Sequence, residues 1–120
     1  MTRILVIFAG LMGAAGVMLT AASAHLGHEG RLETASSMLL FHAPAVLAAA
    51  LLVERDIVHG KIGILGAFGF VIAAALFAGD LSMRQFAGHR LFPFAAPIGG
   101  TLFMVSWLVL GLSAAWRRRT

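Results

Sequence analysis

The chain has no cysteine, which excludes a disulfide framework, a thiolate metal site and thiol chemistry. Charge is nearly as scarce: 12% of the 120 residues are Asp, Glu, Lys or Arg, against 60% that are hydrophobic. A soluble domain of this length has no way to hide so much apolar surface, whereas lipid accepts it without penalty. No nucleophile, base and orienting group stand in a recognisable pattern, and Ser36, Ser82 and Ser106 have no catalytic motif around them. Enzyme chemistry is therefore not expected, and no cofactor is implied. The nine Lys and Arg exceed the five Asp and Glu to give a net charge of +4, but they are scattered over loops and chain ends. No basic face tracks a phosphate backbone, which removes nucleic acid from the candidate partners.

What is present is a set of long apolar runs. A helical span needs about 20 apolar residues to cross about 30 Å of hydrocarbon, and four stretches meet that need, at about 4–24, 37–53, 62–79 and 97–116. They are rich in Ala and Leu and only weakly alternating, so they read as helices rather than barrel strands. The predicted fold class is all-α integral membrane: one membrane domain over residues 1–120 with four transmembrane helices. The first run ends on Ala22-Ser23-Ala24 and so imitates a secretory signal. It is longer than the roughly 7–15 apolar residues of a signal, and a retained helix is expected. Pro44 removes one backbone N–H from the second helix, which predicts a kink just past His42.

Cations set the expected orientation. Arg3, Arg55, Lys61, Arg117, Arg118 and Arg119 fall on one side of such a four-span chain, and Arg31, Arg84 and Arg90 on the other. Six against three places both termini in the cytoplasm of a bacterial inner membrane, with Trp116 as an interfacial anchor.

The chain also repeats. A shift of 53 residues sets Gly10, Gly13, Ala14 and Gly16 on Gly63, Gly66, Ala67 and Gly69, Arg31 on Arg84, and Phe41, Ala43 and Pro44 on Phe94, Ala96 and Pro97. With Ala21 and Ala22 on Ala74 and Ala75, these make ten identities between residues 10 and 44. Composition alone does not readily place Gly-x-x-Gly-Ala-x-Gly, an Arg and Phe-x-Ala-Pro in one register. The expectation is two parallel hairpin repeats, about 4–53 and 62–116, related by a pseudo-two-fold along the membrane normal. The small residues Gly10, Gly13, Gly16, Gly63, Gly66, Gly69, Gly99 and Gly100 are the expected helix-packing positions.

Ionisable groups within a span are costly, so His42 and Asp80 are the first candidates for function. With His25 and Arg84 they form a candidate polar site on the extracytoplasmic half; the competing reading has Asp80 pairing with Arg84 one turn on and His42 bonding a neighbouring helix or the Leu40 carbonyl freed by Pro44. His25-x-x-His28 is the only spacing suggestive of a metal, but no second tight pair accompanies it, so no metal is assigned.

The Gly-rich first helix ending in Ala-x-Ala-His25-Leu26, His42, Phe77-Ala78-Gly79-Asp80-Leu81 and Pro97-Ile98-Gly99-Gly100 with Trp107 resemble the family catalogued as domain of unknown function 423. The resemblance implies a small four-helix inner-membrane protein and brings no established activity or cofactor. The chain departs from that pattern at Asp80 and Pro44. The function expected is non-enzymatic: an accessory, assembly or scaffold component with a membrane-protein partner, or a homo-oligomer, in the lipid bilayer. The alternative is a small permeation or carrier protein for a proton, metal ion or small solute that uses His42 and Asp80.

Overall fold

Each apolar run becomes one uninterrupted α-helix, because a backbone in hydrocarbon can satisfy its N–H and C=O groups only within the segment. A computed structural model describes residues 1–26 and 30–116. These hold α1 (Thr2–Leu26), α2 (Arg31–Glu54), α3 (Gly60–Phe86) and α4 (Ala95–Ala115), with no strand among the described residues. The shortest, α4, has 21 residues and is about 31 Å long, enough to cross the hydrocarbon.

The helices outrun the predicted spans at their polar ends. α2 begins at Arg31 rather than near residue 37, and α3 runs on to Phe86 rather than stopping near 79. Hydropathy marks only the part embedded in lipid tails, while the backbone ladder continues into the headgroup region. Glu33 in the first turn of α2 and Arg84 in the last turn of α3 carry the charge signs that the helix dipole favours there. Pro44 lies inside α2 without ending it.

Short connections make sequential helices antiparallel neighbours. Thr2 Oγ1 donates to Glu54 Oε2 at 3.1 Å, and the His59 N–H donates to the Ser113 carbonyl at 2.7 Å. The start of α1, the 55–59 loop and the last turns of α4 therefore share one end; residues 117–120, with the three C-terminal arginines, lie outside the described residues. The opposite end carries Gly30 and the 87–94 loop.

The helices pack in a row, α1 on α2, α2 on α3 and α3 on α4, and α1 touches α3 only lightly. One such touch is the edge-to-face pair Phe8 and Phe68, 6.4 Å apart. The buried interior is built mostly of small side chains: Ala43, Val46 and Ala49 of α2 share one buried cluster with Ala67, Phe70, Ala73 and Ala74 of α3. Ile7, Leu11, Val17, Leu65, Ile72 and Leu108 point outward, as they must where lipid is the solvent.

The glycines divide into those that other helices cover and those that none does. α3 and α4 approach most closely: a Cβ at Gly99 would lie 2.8 Å from Phe77 N and 3.0 Å from the Ala73 carbonyl oxygen, and one at Gly66 would lie 3.3 Å from Leu110 N and the Ser106 carbonyl oxygen. Gly69 is filled by the Ser106 side chain, Gly63 faces Val53 and Val58, and Gly16 faces Leu39 and Leu40. Gly13 has room, with Ala43 Cβ at 3.9 Å, and Gly100 makes only ordinary contact with the Phe77 ring. Gly10 meets nothing within 4 Å, because it lies on the outward face of α1.

Opposite outcomes are expected for one substitution at two sites. Gly99→Ala must push two backbones apart and should destabilise by about 1–3 kcal/mol, whereas Gly10→Ala should be neutral or stabilise by up to about 1 kcal/mol through helix propensity. Thermal unfolding in detergent measures both, and equal tolerance would contradict the close α3–α4 approach.

Candidate functional site

His42 is the twelfth of the 24 residues of α2, so at about 1.5 Å per residue it sits near the helix midpoint. Counted along the helix this is six residues further from the start than expected, because α2 begins at Arg31. Trp107 is the thirteenth of the 21 residues of α4, at matching depth. Its Nε1–H donates to His42 Nε2 at 3.0 Å. An indole nitrogen only donates, so Nε2 must be the unprotonated nitrogen; Nδ1 then carries the hydrogen and donates it to the Met38 carbonyl at 2.8 Å. The imidazole is thus neutral, in one tautomer, with both nitrogens used. The carbonyl freed by Pro44, that of Leu40, is not its acceptor.

Aromatic rings close the site. Phe103 stacks on the imidazole at 3.9 Å and 26°, while Phe41 and Phe70 tilt against it, each 5.4 Å away. Phe70 also meets Trp107 edge to face at 4.8 Å. His42 is left 3% exposed, with no free nitrogen for a metal or a travelling proton.

Asp80 forms a separate site near the other end of α3 and is fully buried. Its Oδ1 accepts from the Leu91 N–H at 2.9 Å, which fastens the 87–94 loop to α3. Its Oδ2 lies 2.8 Å from Arg84 Nη2, one turn on. That contact is an ion pair rather than a directed hydrogen bond, so Oδ2 and the buried Arg84 Nε have no hydrogen-bond partner among the described residues. A buried carboxylate without a cation costs several kcal/mol; Arg84 offsets this while staying partly open to the surface.

The polar residues do not assemble into one cluster. His42 bonds Met38 and Trp107, Asp80 bonds Leu91 and pairs with Arg84, and neither network includes the other's residues. His25 is exposed in the last turn of α1. His28 lies outside the described residues, and among those described no three His, Asp or Glu residues converge.

Four membrane-crossing helices with two internally bonded polar sites define an integral membrane protein whose buried ionisable groups are held by its own side chains and backbone. The chain belongs to the family described as "Protein of unknown function (DUF423)", which matches residues 12–100. It is 36% identical over 79 residues to the "UPF0382 membrane protein" of Haemophilus influenzae, covering 66% of this chain and 61% of that relative, less than two thirds of its length. It is 28% identical over 126 residues to the "UPF0382 inner membrane protein YgdD" of Escherichia coli K12, covering 98% of this chain and 94% of the relative. The Shigella flexneri protein of the same name matches to the same extent. No solved structure matches the chain. With its four spans, the chain is a multi-pass inner-membrane protein.

Sequence reasoning singled out His42 and Asp80 and anticipated both the Asp80–Arg84 pair and a bond from His42 to another helix, but it did not name Trp107, the Leu91 amide or the Met38 carbonyl. Trp107 was legible as a donor-only group in mid-span, and it needed an acceptor there. The Leu91 amide and the Met38 carbonyl leave no side-chain signature.

Trp107→Phe keeps a ring and removes the donor, so the buried Nε2 is orphaned and a loss of about 1–3 kcal/mol is expected. His42→Phe should also destabilise, and the double variant should cost less than the two losses added; additive losses in the unfolding cycle would dissolve the pair. At the second site Asp80→Asn should be mild, since an amide oxygen still accepts from Leu91, whereas Asp80→Leu removes both contacts. If Asn proves as damaging as Leu in detergent melts, the loop is not held by this acceptor.

Proposed function

We propose that the protein works by packing, as a non-enzymatic accessory, assembly or scaffold component of a larger inner-membrane complex or as a homo-oligomer. The observation that carries this reading is the closure of His42: both nitrogens are bonded and four aromatic rings surround it. A carrier of protons, metal ions or small solutes needs polar groups that face a wet cavity. Here Asp80 is buried and bonded to a loop amide, and the interface beside it is packed with glycine and alanine. In this reading the two hairpins are duplicated packing units, both termini are cytoplasmic, and the outward glycine of α1, Gly10, is available to a neighbouring helix.

Native mass spectrometry of gently solubilised membranes tests the proposal. A defined assembly containing this chain is the expected result, and a strictly monomeric chain without a protein partner would overturn it. Liposomes carrying the wild type should show no pH- or metal-dependent flux; flux that disappears in both His42→Ala and Asp80→Asn, with folded yield intact, would establish the carrier reading instead. A reporter active only in the periplasm and fused after Thr120 should be silent.

A further inference from the structure

Between the last turns of α3 and the first half of α4 lies an open groove of about 690 Å³. Its rim carries Arg84 and Arg90; its floor is formed by Phe77, Pro97, Gly100 and Met104. We propose that this groove binds one anionic phospholipid, with the phosphate between the two guanidinium groups and an acyl chain along the floor. The inference does not depend on the scaffold reading.

Three observations carry it. The first is charge. Asp80 balances one of the two arginines, Arg90 has no carboxylate partner among the described residues, and the first turn of α4 has no acidic residue. The rim is left with a net positive charge, to which the positive end of the α4 dipole adds. The second is donor geometry. Arg84 lines the groove with its side chain 23% exposed and is held in place by Asp80 through Nη2, and a guanidinium fork matches phosphate oxygens in pairs. The third is length. From Ala95 at the start of α4 to Met104 is nine residues, or about 14 Å, close to the roughly 15 Å that one leaflet's hydrocarbon occupies. An acyl chain anchored at the arginines would therefore follow the groove over the depth of its own leaflet.

Asp80 links these features. By pairing with Arg84 and accepting from the Leu91 N–H, it sets the position of one arginine directly and of the other through the adjoining loop residue.

The test uses the full-length protein in detergent micelles, with dioleoylphosphatidylglycerol, dioleoylphosphatidylcholine and inorganic phosphate as probes, read by native mass spectrometry. One retained phosphatidylglycerol per chain is expected, preferred over phosphatidylcholine by about fivefold or more, since each arginine near an anionic headgroup contributes about that factor. Arg90→Gln, in an exposed loop, should reduce the preference about fivefold, while Arg55→Gln at the opposite end should leave it unchanged. Gly100→Leu should fill the floor and displace the phospholipid. Circular dichroism establishes that each variant is folded. Equal retention of the two lipids, or a preference that survives both Arg90→Gln and Gly100→Leu, would overturn the proposal. So would inorganic phosphate competing as well as the lipid and insensitive to Gly100→Leu, because that describes an anion site without a chain.

Discussion

The hydrogen bond from Trp107 to His42 is the constraint on which the rest of the bundle depends. It joins α2 to α4, two helices that are not among the extensively packed pairs, across the edge of α3. In water such a bond would exchange freely with solvent. In hydrocarbon neither partner has an alternative, so the geometry that satisfies both is strongly preferred. Because an indole can only donate, it also fixes which nitrogen of the imidazole carries the proton, and the Met38 carbonyl completes the set.

That bond requires α4 to lie close against α3, and the glycines provide the approach. Lipid tails are as apolar as the side chains, so helices associate through close contact rather than through water exclusion. Gly66, Gly69 and Gly99 let the α4 backbone and Ser106 settle onto α3. Phe70 and Phe103, both buried, then fill the space around the imidazole. The far end is tied separately: Asp80 secures an eight-residue connection, 87–94, through one backbone amide.

Much of this was legible in the sequence, and the parts that were not have physical causes. Four helices follow from hydrophobic length, since lipid permits little else. Their ends do not, because polar residues such as Arg31 and Glu33 extend a helix beyond the hydrocarbon while reading as loop. The earlier start lengthens α2 by six residues, about 9 Å, ahead of His42, so that it is the twelfth residue of α2 as Trp107 is the thirteenth of α4. His42 and Asp80 stood out because ionisable groups are rare in a span, and Arg84, one turn from Asp80, was legible with it; Trp107 and the Leu91 amide lie 65 and 11 residues away, and an amide has no side-chain signature. Small-residue spacing indicated which positions allow close approach but not which face is covered, and so Gly10 could not be told from Gly16.

The separation of His42 from Trp107 also bears on how the protein is made. At about 5–20 residues per second, the 65 residues between them take about 3–13 s to synthesise. For that interval α1 and α2 exist with an imidazole whose Nε2 has no indole to meet. The nascent hairpin must therefore hold a polar ring in the insertion machinery, in a water defect or against lipid until the last helix is delivered. The fourth span thus completes a bond that the second has been missing since its synthesis, which gives the order of insertion a direction that the finished bundle conceals.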